Sequence, residues 1–466
     1  MSIGKTSEAL GQSGITFEKP GYAAMNPWTW PGYFLFFLML SFPMVVSLLY
    51  VKAVLFAILL IFVAVRALTR FRLDLRPKVV IWTLALANVS LLFGIRGVFL
   101  GTPGAVKGIQ VYFVWPLVYL VLLGGIHNMR ALRALEKTMV FSSAFIFFFG
   151  AAYSLSQLNI LPEIPHLDSL MSLDDLSSGI YDGYAGLAFP GLNSLPFLVP
   201  FLIATVVARW SQPRKRPIPK LLLSLVLILN LALVLVSGRR ALQLVTVLSP
   251  LLILVLSSFQ PPKEKLFLRR SLGRCTVVLV LAVTLSVPLL GPVYSISFPG
   301  IADRFSSGFA FDSNSFDESP DARRQQYFAL TRSWLENPLI GSGLGASAYG
   351  SSRSDTMPWA YELYYSLMLF HTGLLGFMAY AAGIIWIYWT GIKIIKRGGI
   401  SSELLLPVLV GMSGLLIATV TNPYLARFDG IWVIFLPLAF INHWLLKQDR
   451  DYITSFQGAI QLSGRL

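Results

Sequence analysis

The chain has 466 residues, of which 55% are hydrophobic and only 13% charged, with a mean hydropathy of +0.69. So little polar surface excludes a soluble globule and points to a polytopic membrane protein. The formal net charge of +15 raises nucleic acid as a partner. However, the basic residues mark the ends of apolar segments and are not interleaved with base-stacking aromatics, so no nucleic-acid partner is expected.

The chain opens with a polar tail, residues 1–30, rich in Gly and Ser. The first apolar run starts too far behind it for a cleavable signal peptide, so it reads as a retained span. Apolar runs follow near 33–50, 52–67, 79–96, 109–126, 138–157, 191–209, 219–237, 241–258, 275–294, 373–392, 402–420 and 430–446. They predict an all-α protein of about twelve transmembrane helices with both ends on one side. In domain terms, 31–294 holds the first nine spans with an outer loop at 158–190. Residues 295–361 form a large second loop, 362–446 the last three spans, and 447–466 a tail.

Arg and Lys alternate between loops. Arg66, Arg70, Arg72, Arg76 and Lys78 cluster in one; Arg214, Lys215, Arg216 and Lys220 in another; Lys263, Lys265, Arg269, Arg270 and Arg274 in a third. By the positive-inside rule these loops, and both termini with them, are cytoplasmic. Cys275, the single cysteine, leaves no intrachain disulfide to form.

The two long outer loops differ in character. In the earlier one, Asp174, Asp175 and Asp182 lack the rigid spacing of a cation site and read as solvated residues. The later loop carries a helix signal from Ala322 to Leu335, with Tyr327, Phe328, Leu330, Trp334 and Leu335 near helical spacing. Asp321 behind Pro320 is its expected N-cap and Asn337-Pro338 its stop.

Arginines gather on this face. Arg239 and Arg240 follow Ser237-Gly238 where one span turns into the next, a place suited either to helix-end anchors at the interface or to capture of a diphosphate headgroup. Arg323, Arg324 and Arg332 lie on the predicted loop helix, with Arg324 near its N-terminus, where the helix dipole adds to its charge. Arg96, Arg304, Arg353 and Arg427 share the face, and Arg427 closes the short NPYLAR loop. Glu362 stands at the outer start of an apolar segment beside Tyr361, Tyr364 and Tyr365, surroundings that would raise its pKa toward general-base work. His371 lies deeper, on roughly the opposite helix face, and reads as packed or pore-facing. The GSGLG run from Gly341 to Gly345 has no βαβ unit around it and so is no dinucleotide fingerprint; it suggests close backbone approach or a tight turn. No Ser/His/Asp arrangement and no Cys/His cluster is present, so neither metal nor cofactor is expected.

The order SGRR, long loop, RRQQ, ENPLIGSGLG, and a Tyr-rich segment ending HTGLLG resembles the bacterial O-antigen ligase and O-antigen polymerase superfamily. The resemblance covers roughly Ser237 to Gly430. It implies a GT-C-like fold in the bacterial inner membrane, with the large loop as a helical periplasmic subdomain. It also implies transfer of glycan from an undecaprenyl-diphosphate-linked oligosaccharide, without nucleotide sugar or metal, and a chain-length-regulating copolymerase as a partner besides membrane lipid. The family's span-end arginine matches Arg239 or Arg240, and the arginine before its NP-G-G-L-G element matches Arg324. The ligases place a histidine where this chain has Glu362, which favours a polymerase. Glu362 and Arg324 are then the candidate catalytic pair; Arg239, Arg240, Arg323, Arg332, Arg427 and Tyr365 are the candidate substrate-binding residues.

Overall fold

The computed structural model describes residues 30–43, 45–70, 75–126, 128–162, 177–181, 184–211, 218–294, 297–300, 318–350 and 356–463. In chain order its main helices are α1 (Trp30–Ser41), α2 (Leu49–Arg70), α3 (Pro77–Phe99), α4 (Ala105–Gly124) and α5 (Met129–Gln157). After these come α6 (Leu195–Ser211), α7 (Lys220–Val236), α8 (Arg240–Ser257) and α9 (Pro262–Tyr294). The loop helix α10 (Glu318–Glu336) precedes α11 (Tyr364–Arg397), α12 (Gly399–Ala418) and α13 (Phe428–Ser463).

Among the described residues nine helices are long and apolar enough to cross a membrane. Three shorter apolar helices, Trp30–Ser41, Leu49–Val65 and Lys220–Val236, stand at the other three expected positions. The first expected span, 33–50, is not one helix. It stops at Ser41 ahead of Pro43, whose ring and missing N–H cannot continue the ladder, and resumes through a short 3-10 turn, Val46–Leu48, into α2. At twelve residues, α1 reaches only about 18 Å. In α4, Pro116 has no N–H to give, and the turn before it widens: the Trp115 N–H reaches back to the Gln110 carbonyl across the π turn Gln110–Val114.

An unforeseen feature sits in the loop at 158–190. Strands β1 (Ser177–Tyr181) and β2 (Tyr184–Ala188) form an antiparallel hairpin with Ser177 opposite Ala188. Asp174, Asp175 and Asp182 lie outside the described residues.

The core is built on α6. Apart from Thr205 and Arg209 it is apolar on every side, and in the segment Pro190–Ser211 that contains it 94% of the 18-residue apolar stretch is buried, against 17% for α9 at the periphery. Gly411 and Gly414 of α12 let that helix close on α6: a Cβ at Gly411 would meet the Phe197 carbonyl at 2.9 Å, and one at Gly414 the Pro196 carbonyl at 2.7 Å. Small residues on one helix face are the usual device for such approach where lipid supplies no hydrophobic drive.

Candidate functional site

The loop helix α10 begins earlier than its sequence suggests. Glu318 is its first residue, so Asp321 lies inside the helix instead of capping it, and Pro320 sits in the first turn, where its missing N–H costs nothing. It ends at Glu336 before Asn337-Pro338, as expected. Its inward face is more polar than the apolar spacing implied. Gln326, Leu330 and Ser333 are buried, while Tyr327, Phe328 and Leu335 are exposed. Leu330 packs with Ala346, Ala348, Tyr361, Leu367 and Phe370 in a small core separate from that of the spans.

On this core two elements meet around Glu362. Arg323 Nε donates to Glu362 Oε2 at 2.7 Å, with the side chains 28% and 20% exposed. The Glu362 backbone N–H donates to Gln326 Oε1 at 2.9 Å. Glu362 therefore does not enter apolar surroundings, as its sequence neighbours suggested; a guanidinium and an amide from α10 enclose it. It also precedes α11 instead of opening it, because that helix starts at Tyr364. Next to it the Tyr361 hydroxyl accepts the Ala348 N–H at 2.6 Å. Burial pushes the Tyr361 phenol above its ordinary value of 10.0, and that hydrogen bond partly offsets the rise.

The glycines explain how α10 is held. Within α11, Gly373 (φ 60°, ψ −170°) breaks the helix. The NPLIGSGLG segment enters that break: Ser342 and Gly343 give their N–H groups to the carbonyls of Phe370 and His371 at 2.9 Å each. In return Leu374 and Leu375 give theirs to Pro338 and Leu339. Farther on, Leu344 N–H donates to Phe93 O and Gly104 N–H to Gly345 O. A Cβ at Gly341 would lie 2.5 Å from Gly373 N, one at Gly343 2.7 Å from Gly97 Cα, and one at Gly345 2.0 Å from the Gly104 carbonyl carbon. Gly341, Gly343 and Gly345 all have positive φ. The run is thus a backbone-on-backbone lock between α3, the α3–α4 turn and α11, the close approach its composition suggested. Arg96 serves the same lock, since its Nε donates to Gly341 O at 3.1 Å.

The remaining candidates spread out. Arg324 points outward, its guanidinium 5.8 Å from the Phe328 ring, and Arg332 is exposed on the same side. Arg239 donates to Asn193 Oδ1 at 2.7 Å and so joins the α7–α8 turn to the short helix Pro190–Ser194, while half-buried Arg240 begins α8. Exposed Arg427 caps the 3-10 turn Tyr424–Ala426. Tyr365 donates to Leu416 O at 2.7 Å and links α11 to α12. Of the two readings open for His371, packed or pore-facing, the first holds: it is buried, with Nε2 2.9 Å from Ala346 O. Arg304 and Arg353 lie outside the described residues.

No protein-family model and no curated protein matches this chain.

Sequence reasoning missed the buried charges. Lys52 and Asp429 pair at 2.9 Å with side chains 4% and 1% exposed, and Lys52 also donates to Phe42 O at 2.8 Å. Glu136 and Arg209 pair at 2.7 Å, likewise buried. Lys52 was readable as the lone charge in an apolar run; Glu136 was hidden among the basic residues of its loop. The partners of the glycine lock, Gly97 and Gly104, were legible only as small residues at intervals. Among the described residues, groups of three or more metal-binding side chains are absent. The chemistry on offer is a guanidinium-held carboxylate at the meeting of a loop helix and a broken apolar helix.

Proposed function

We propose that the chain is a polymerase of lipid-linked polysaccharide, acting at the periplasmic face of a bacterial inner membrane that it crosses about twelve times with a GT-C-like fold. The observation that carries this reading is the Arg323–Glu362 pair, seated where the loop helix locks onto α11. A carboxylate held in one orientation can take the proton of an acceptor sugar hydroxyl. The freed oxygen attacks the anomeric carbon, the bond from that carbon to the diphosphate oxygen breaks with inversion, and undecaprenyl diphosphate leaves with the electron pair. Such a leaving group needs its charge neutralised more than it needs a proton, a task for arginine. Arg323 faces Glu362 and Arg324 does not, so Arg323 is the better partner for it; Arg239, Arg240 and Arg427 remain candidates for the diphosphate and Tyr365 for the glycan, while Arg332 lies on the face of α10 turned away from Glu362.

The test is surface polysaccharide in a strain deleted for the gene and complemented with Glu362→Gln or Arg323→Ala protein. Loss of the ladder with single-repeat capped core retained supports the polymerase, through a fall of about 10²–10³ in rate. Loss of all capping while carrier-linked chains accumulate makes the protein a ligase. An unchanged ladder removes both residues from the chemistry.

A second reading, a transporter of the same lipid-linked sugar, is favoured by the buried pairs Lys52–Asp429 and Glu136–Arg209 and by the break in α11. Against it, the break is filled by the protein's own backbone. Transport is separated by flipping of a labelled carrier in vesicles holding only this protein.

A further inference from the structure

The outward face of α10 is unlike its inward one. Arg324, Phe328 and Leu335 project within about 40° of one another around the helix. Phe328 is 58% and Leu335 62% exposed, and Tyr327, 50% exposed, stacks edge-on against Phe328. Arg332 flanks the stripe, and the exposed Asp321 lies between it and Phe328 around the helix. The exposed apolar surface does not stop at the helix end. Leu339 and Ile340 continue it and lie directly against the break in α11, where the N–H groups of Leu374 and Leu375 bond to the carbonyls of Pro338 and Leu339. Leu374 and Leu375 are themselves exposed residues of a helix long and apolar enough to cross a membrane. A lipid-facing surface on α11 therefore runs without interruption through Leu339 and Ile340 onto the stripe of α10.

The geometry points to α10 as an interfacial helix whose outward stripe beds in the headgroup layer of the membrane the chain spans. Phe328 and Leu335 reach toward the acyl chains, while Arg324 and Arg332 meet the phosphates of anionic lipid. Aromatic and leucine side chains flanked by arginines are the composition of such helices. Arginine suits lipid phosphate because its planar fork matches the oxygens and its charge survives desolvation. The Arg324–Phe328 contact at 5.8 Å holds the guanidinium beside the ring that would insert. The inward face stays free for Glu362, so the inference stands whatever the protein catalyses.

The experiment uses the full chain in vesicles, with buried Cys275 replaced by Ser and a polarity-sensitive fluorophore on Phe328→Cys, Leu335→Cys or, as a control beside the stripe, Gln325→Cys. With phosphatidylglycerol present, the labels at Phe328 and Leu335 are expected to emit to the blue of the Gln325 label. A nitroxide placed high on the lipid acyl chain should quench them more than it quenches the control, since an interfacial helix buries its apolar face about 5–10 Å into the headgroup and acyl boundary. In phosphatidylcholine alone the difference should shrink, and Arg324→Gln with Arg332→Gln should abolish its dependence on lipid charge. Aqueous iodide quenching at Phe328 and Leu335 equal to that at Gln325 would overturn the inference and leave the stripe to water or a protein partner. Equal depth in charged and neutral vesicles would overturn the role given to the arginines. Two label positions on one stripe guard against a single variant that fails to fold.

Discussion

At the residue scale, Gly373 has no substitute. A side chain there would take a left-handed backbone and overlap the Leu339 carbonyl carbon, 2.4 Å from the Cβ position. Gly373→Ala is expected to cost more than about 3 kcal/mol, strain and overlap combined. Gly101→Ala, at φ +65° but in open space, should cost only about 1 to 2 kcal/mol. Thermal unfolding in detergent distinguishes the two. Tyr361→Phe leaves the Ala348 N–H without its acceptor and should cost about 1 to 2 kcal/mol. Tyr361 also confers a pH dependence. Its phenol holds its proton more tightly in the fold than in the unfolded chain, so its contribution is complete below pH 10.0 and is lost as pH rises through the higher folded value. The stability difference between the parent and Tyr361→Phe should therefore narrow above that pH, as unfolding measured across the alkaline range would show.

At the element scale, the Lys52–Asp429 pair fastens three helices at one end. Lys52 on α2 takes the carbonyl freed where α1 stops and the carboxylate in the first turn of α13, and Tyr119 of α4 donates to the neighbouring Phe428 carbonyl at 2.9 Å. Neutralising one partner leaves the other charge buried and alone. Asp429→Asn should thus destabilise by about 3 to 5 kcal/mol, and Lys52→Met combined with it should recover most of the loss. If the double variant is no more stable than the single, the pair is not the clamp its geometry suggests. The docking of α10 is looser by comparison, because the Arg323–Glu362 pair keeps partial contact with solvent. Its separation from α11 by proteolysis should quicken in Arg323→Ala and stay unchanged in Arg324→Ala.

For the whole molecule, the architecture implies sidedness. A cysteine at exposed Glu336 on α10 should react with an impermeant maleimide from outside the intact cell, and one at Lys263, at the start of α9, only after the membrane is opened. The reverse pattern would invert the topology and every assignment that rests on it. Hydropathy alone yielded the apolar segments, since a run of about twenty apolar residues has few destinations besides lipid. It also exposed α10 and its stop at Asn337-Pro338, because helix periodicity and a proline breaker act locally. The break at Pro43 was written in the same local terms but was obscured by apolar residues on both sides of it. Glu362, Arg323 and the GSGLG glycines could be singled out as residue types, yet their relations could not. Which of two adjacent arginines faces a carboxylate 39 residues away depends on the docking angle of α10, and that angle is set by Leu330, Gln326 and a glycine lock whose other half lies near residue 97 and near 373. Pairings of this kind join distant parts of the chain through backbone contact and leave no periodicity in either part, so they become visible only when the fold brings the partners together.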